Sequence, residues 1–251
     1  MTENLIQNSS GTSWSDWQGS TRLANTPWIS ADQLCPAGAR LIVVAPHPDD
    51  EILMCGGLLS GFRGREHELL MVSVTDGEGS HPGSNRWSPQ RLRERRPQES
   101  RDALQRLGLN VGAVAWQRLS VQDGAVARDE CALVNHLCQL LTPQDRLLTT
   151  WRGDGHCDHE AVGRACAEAA RERQVPLLEV PVWAWHWAEP EDARLPWLRA
   201  RRLKLDKDSL RHKCHAIAAH NSQLKGDGGR PPVLSTAFLQ CLLQPFELVF
   251  I

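Results

Sequence analysis

From about residue 40 onward the chain alternates short apolar runs with segments of helical spacing. "ARLIVVAP" (39–46) is a continuous apolar run rich in Val and Ile, the signature of a strand buried on both faces. "DEILMCGGLLSGFRGR" (50–65) follows, with Ile52, Leu53, Leu58, Leu59 and Phe62 on one broad helical face. Gly56 and Gly57 weaken that helix in isolation and suit a close approach to the sheet. "HELLMVSVTDG" (67–77), "VGAVAWQRL" (111–119), "DRLLTTW" (145–151) and "PLLEVPVWAW" (176–185) read as further strands, and "FELVFI" (246–251) as a closing one.

Helical patterns separate these runs. "SPQRLRERRPQESRDALQRLGL" (88–109) has Ser88 as N-cap, Pro89 at the first helical position and Gly108 as a stop. Pro97 predicts a break or kink there, or a helix beginning near it. Residues 132–141 and 208–224 are helical, 158–174 form a helix with Asp158 as N-cap candidate, and 235–243 a short one. Strands alternating with helices predict an α/β fold, with a mainly parallel sheet and helices on both faces. Residues 1–38 are polar, with Trp14, Trp17 and Trp28 as the large apolar anchors. They read as an irregular arm packed over a single domain spanning 39–251.

Composition narrows the class. A net charge of -2 carries no basic excess that would suggest nucleic acid as a partner. The 8 Cys include no C-x-x-C pair, so they read as small buried hydrophobes in a reducing compartment. No apolar run approaches transmembrane length, and the first residues have neither a basic nor an apolar signal region, so a cytoplasmic protein is expected. The oligomeric state is left open.

Two loops carry the chemistry. "HPDDE" supplies His47, Asp49, Asp50 and Glu51 where the first strand passes into a helix. "DGHCDH" supplies Asp154, His156, Asp158 and His159 just after another strand. In parallel α/β sheets, ligands bind beyond the carboxyl ends of strands, and imidazole with carboxylate is a zinc-type donor set. Asp49, Asp50 and Asp158 are also good helix caps, so either loop alone leaves capping and metal binding equally open. Two such loops at two strand ends favour a metal site. The Gly/Ser-rich "TDGEGSHPGS" (75–84) lacks phosphate-loop spacing and reads as a pocket edge. In "VWAWHWAEPED" strand alternation would put Trp183, Trp185 and Trp187 on one face, for core packing or for stacking on a sugar ring.

"APHPDDE" (45–51) together with "DGHCDHEAVG" (154–163) resembles the PIG-L/LmbE family of zinc-dependent N-deacetylases, which pair an (A/P)HPDDE box with a later H-x-D-H box. The resemblance runs from about residue 40 to about 225. It takes in "RRPQESRDALQRLGL" and, more weakly, "KCHAIAAHNSQ". It implies a Rossmann-like α/β domain holding one Zn²⁺ per chain, or another divalent metal in its place, on His47, Asp50 and His159. It further implies Asp49 as general base on the attacking water. His156 would stabilise the oxyanion and protonate the leaving amine, with Asp158 orienting it. Arg96 would face the substrate, and Trp185 and His186 are added as candidate substrate contacts; Glu51 is given a structural role. The implied reaction removes an N-acetyl group from an N-acetylated amino sugar or glycoconjugate, releasing acetate and a free amine. Hydrolysis of another amide or an ester, and a non-catalytic sugar- or metal-binding protein, are the alternatives. The family's second box commonly has Pro where this chain has Cys157. Cys157 reads either as a small neutral filler that stays protonated or as a thiol beside a metal and two His, partly ionised and open to oxidation.

Overall fold

The structure, a computed structural model, describes residues 11–251. Helices α1 (Trp14–Gln18) and α2 (Thr21–Asn25), strand β1 (Trp28–Ile29) and helix α3 (Ala31–Leu34) precede β2 (Leu41–Ala45), α4 (Asp50–Ser60) and β3 (Leu69–Thr75). There follow α5 (Pro89–Arg106), β4 (Ala115–Val121), α6 (Glu130–Leu140), β5 (Arg146–Thr150), α7 (Cys157–Arg173), β6 (Leu177–Val180) and α8 (Ala184–Trp187). The chain ends with β7 (Ala200–Lys204), α9 (Lys207–Ile217), α10 (Asn221–Leu224), α11 (Thr236–Leu242) and β8 (Phe246–Phe250). Among the described residues the eight strands form one mixed sheet, in the order β1-β7-β8-β6-β5-β2-β3-β4. Only β8 runs antiparallel to its neighbours.

Strand alternation divides the core in two. Leu41, Val43 and Ala45 of β2 pack on one side with Ile52 and Leu59 of α4 and Leu104 of α5. Ile42 and Val44 pack on the other with Leu133 of α6 and Val162 and Cys166 of α7. The parallel run is therefore covered on both faces, as its unbroken apolar strands require. β2 lies between β3 and β5. It connects outward to β3 on one side, whereas β5 connects to β6 on the other. That reversal leaves a crevice beyond the carboxyl ends of β2 and β5, and both acidic loops open into it. Among the described residues no helix is long and apolar enough to cross a membrane.

Several expectations need correcting. α5 runs unbroken through Pro97. The carbonyl that the missing proline donor would leave free is that of Arg93, and Arg118 Nη2 reaches it at 3.5 Å. The Trp-rich stretch is not strand: β6 ends at Val180, and Trp185, His186 and Trp187 lie in α8. The described part of the arm is not irregular. Ser13, Ser20 and Ser30 each cap a short helix, two of them as capping boxes with Asp16 and Gln33. β1 joins the sheet edge beside β7, a strand the apolar pattern did not reveal because Arg201, Arg202 and Lys204 interrupt it. Trp17 is buried and donates from Nε1 to the Trp185 carbonyl at 2.9 Å. Residues 1–10 of the arm lie outside the described residues.

Candidate metal centre

The turn from β2 into α4 is built around Asp49, whose φ of 141° is strained for any residue with a Cβ. Its side chain makes no capping bond. Instead Arg96 Nη2 donates to Asp49 Oδ2 at 3.0 Å and to the Pro48 carbonyl at 2.9 Å, while Nη1 donates to the Gly77 carbonyl at 2.8 Å. Gly77 itself has positive φ, and a Cβ there would strike the guanidinium. Glu51 Oε2 accepts the Asp49 N–H at 3.1 Å. Asp50 does not cap either; its Oδ2 accepts the His47 N–H at 2.9 Å.

Three donor atoms then face one another. Asp50 Oδ2 lies 3.2 Å from His47 Nδ1 and 3.2 Å from His159 Nε2, and the two nitrogens are 3.3 Å apart. An ion bound tetrahedrally with ligand distances of about 2.0–2.1 Å spaces its ligands about 3.3–3.4 Å apart. The triangle therefore fits such an ion without rearrangement. His156 adds a nitrogen within 4.8 Å of those of His47 and His159. Its ring centroid lies 4.8 Å and 4.7 Å from theirs.

A ring of carboxylates holds the imidazoles. Asp154 Oδ2 accepts from His159 Nδ1 at 2.8 Å, and the same carboxylate takes the N–H groups of Val182, Trp183 and Ala184 at 2.8, 2.9 and 3.0 Å. Those donors lie at and just before the start of α8, where the first N–H groups have no partner within the helix. His47 Nε2 meets Asp158 Oδ2 at 3.2 Å and Asp123 Oδ1 at 3.2 Å. Asp158 also accepts the Gly124 and Val126 N–H groups at 2.7 and 3.2 Å, and Asp123 that of Gly79 at 2.7 Å. Outer carboxylates of this kind fix the tautomer and orientation of a ligating His. Asp158 is not the N-cap of α7; that position is His156, whose Nδ1 accepts the Asp158 N–H at 3.3 Å. The Asp158 carboxylate, expected to orient His156, instead meets His47 Nε2.

The electrostatics call for positive charge at the triangle. Burial lowers the pKa of both His47 and His159, but their carboxylates outweigh it. His47 rises well above its ordinary value through Asp123, Asp158 and Asp50, and His159 rises to about 9 through Asp50 and Asp154. Burial works against ionised Asp50, yet the two imidazoles hold it well below the usual carboxylate range. A bound cation satisfies the same field. Asp49 differs: burial, opposed by Arg96, lifts it to about 6. Burial lifts Glu51 to about 7. His156 is pushed down to about 2, by burial first and then by the neighbouring His159 and His47.

The remaining candidates scatter. Arg96 is buried and grips the Asp49 turn. Trp185 is buried in the core, edge-on to Trp17, so its ring is not open for stacking. His186 lies edge-on to the stacked Trp183–Phe238 pair, and its carbonyl accepts the Thr12 N–H. Cys157 is not an activated thiol, since burial and then Asp158 raise its pKa. Asp123 escaped the sequence reading. Its signal was position: it lies two residues past the end of β4, on the same edge of the sheet as both boxes.

Comparison with known proteins agrees with this architecture. Residues 42–170 match the family model described as PIG-L: GlcNAc-PI de-N-acetylase. Among solved structures, the zinc inhibited form of teicoplanin deacetylase Orf2 is 18% identical with a TM-score of 0.61, over 84% of this chain and 97% of that one. The A40926 pseudoaglycone deacetylase Dbv21 is 21% identical with a TM-score of 0.57, over 84% and 96%. N,N'-diacetylchitobiose deacetylase from Pyrococcus horikoshii is 18% identical with a TM-score of 0.55, over 74% and 71%. A search of curated proteins found no match. The two boxes on one crevice and the family match over 42–170 lead to one conclusion: this chain belongs to the PIG-L family.

Proposed function

We propose that the protein is a zinc-dependent N-deacetylase that hydrolyses the acetamide of an N-acetylated amino sugar or of its conjugate. The observation that carries this reading is the His47–Asp50–His159 triangle with Asp49 beside it. The family's description and the deacetylases among its structural relatives support a sugar acetamide as the substrate class.

His47, Asp50 and His159 would hold the zinc. Zinc bound there supplies Lewis-acid polarisation of the acyl carbonyl and lowers the pKa of the attacking water. Asp49, with a pKa of about 6, is ionised at neutral pH and takes the proton from that water. Arg96 holds its carboxylate in place. His156 accepts the Asp158 N–H on Nδ1, so in its neutral form the proton sits on Nε2, free to donate to the developing oxyanion. One such donor is worth about 2.7–4 kcal/mol. Because His156 is held neutral, the proton for the leaving nitrogen is assigned to Asp49, which returns the one it took. The C–N bond breaks, leaving acetate and a free amine. Asp123 and Asp158 position His47, and Asp154 positions His159.

The test is acetate release from a panel of N-acetylglucosaminides by protein dialysed against chelator and then reloaded with zinc. Release that depends on zinc and is lost in Asp49→Asn is expected. Zinc-loaded protein that releases no acetate from any of them would overturn the assignment.

A further inference from the structure

Helix α4 is broken in the middle. Cys55 leaves helical geometry, with φ −143° and ψ 25°. In an unbroken helix the N–H groups of Gly57 and Leu58 would donate to the carbonyls of Leu53 and Met54. Here they donate to Glu247 of β8, Gly57 to Oε1 at 2.7 Å and Leu58 to Oε2 at 3.0 Å. The Leu53 carbonyl accepts from Lys213 Nζ of α9 at 2.9 Å, and Lys213 closes on Glu247 Oε1 at 2.8 Å. A buried ion pair from two distant elements is thus spliced into the backbone ladder of α4.

The two glycines make the splice feasible. A Cβ on Gly56 would sit 3.1 Å from Lys213 Cγ, and one on Gly57 would sit 3.0 Å from Glu247 Oε1 and collide with Leu205. Both charged side chains are buried. Such a pair is an expensive way to stabilise a core, because apolar residues of similar volume often do as well or better. What it does uniquely is hold the two halves of α4 apart. Lys213 takes a carbonyl of the first half, and Glu247 supplies the acceptor at the start of the second. The first half, Asp50–Met54, carries Asp50 and follows directly on Asp49.

We propose that Lys213 and Glu247 form a wedge that sets the orientation of the Asp49–Asp50 turn, making both of them positioning residues for the metal ligand and the base. This rests on the reading of the site given above. Without the wedge the ladder from Gly57 to Leu53 can close, α4 straightens, and Asp50 Oδ2 leaves the triangle.

The experiment compares wild type, Lys213→Met with Glu247→Leu together, and Glu247→Gln. The double variant removes both charges at once, so it is expected to fold with a melting temperature near wild type. Each variant is titrated with zinc against a chelator, loaded with Co²⁺ for its visible spectrum, and assayed for kcat and KM separately. A zinc affinity lowered about 10–100-fold, altered Co²⁺ bands at full loading, and a fall in kcat with little change in KM are expected. A folded double variant with the zinc affinity, Co²⁺ spectrum and kcat of wild type would overturn the wedge. Should the double variant not fold, Glu247→Gln decides on the same three readouts, with the same outcomes. A wild-type protein that takes up neither ion overturns the reading of the site itself, and the wedge with it.

Discussion

Asp154→Asn tests how strictly the site depends on a residue outside the donor triangle. The carboxylate is completely buried and accepts four hydrogen bonds, two on each oxygen. An amide has one acceptor end and one donor end. Whichever way the substituted amide turns, two of the four donors lose their acceptor and face an N–H group. A hydrogen bond to a charged group is worth about 1.5–3 kcal/mol, so the loss is about 3–6 kcal/mol. For a chain of this size each kcal/mol lowers the melting temperature by about 2–4 °C, so a fall of about 6–24 °C is expected. The two orientations differ in their effect on the metal. With the amide nitrogen toward His159, Nδ1 must become an acceptor and Nε2 the N–H, which removes the lone pair needed for ligation. With it toward Val182 and Ala184, the start of α8 loses its anchor and His159 keeps the required tautomer. Thermal unfolding of the chelator-treated protein, followed by zinc titration, separates the two. The first orientation predicts zinc affinity lowered about 10–100-fold. A variant that melts within about 2 °C of wild type and binds zinc equally well would refute the reasoning.

Asp49→Asn should retain zinc and lower kcat by about 10²–10⁴-fold, the range for a general base; near-normal turnover with zinc bound would remove Asp49 from that role. Because burial lifts Asp49 to about 6 and only its ionised form accepts a proton, kcat/KM should climb as pH rises through about 6, and a profile flat from about pH 5 to 7 would contradict this. Cys157 is held as a thiol, so wild type and Cys157→Ser should lose activity at the same rate in mild peroxide; selective protection of the variant would show an activated thiol. Trp17→Ala should cost about 3–5 kcal/mol in urea unfolding, since the ring is buried against Trp185; a negligible loss would mean that the arm is dispensable.

Much of this protein is determined within short windows of its sequence. The apolar-rich runs of β2, β3 and β5 read as strands covered on both faces, and a parallel sheet with a crevice at its carboxyl edge follows from their alternation with helices. The two boxes were legible because each lies just past a strand and puts metal-type donors where such folds bind ligands, and the resemblance to the PIG-L/LmbE family then singled out His47, Asp49, Asp50 and His159 among them. Tertiary structure decided what depends on partners far along the chain. Pro97 is carried inside α5, where Arg118, on β4, reaches the carbonyl of Arg93 that no proline N–H can meet. The Trp-rich segment turns helical because Asp154 gathers its N–H groups. Asp158 serves His47 rather than its neighbour His156, and Asp123 joins them from the loop after β4. Local propensity and periodicity are properties of adjacent residues and can be read in order. A buried hydrogen-bond acceptor takes whichever donors the fold brings within about 3 Å, and that choice exists only once the chain has closed on itself.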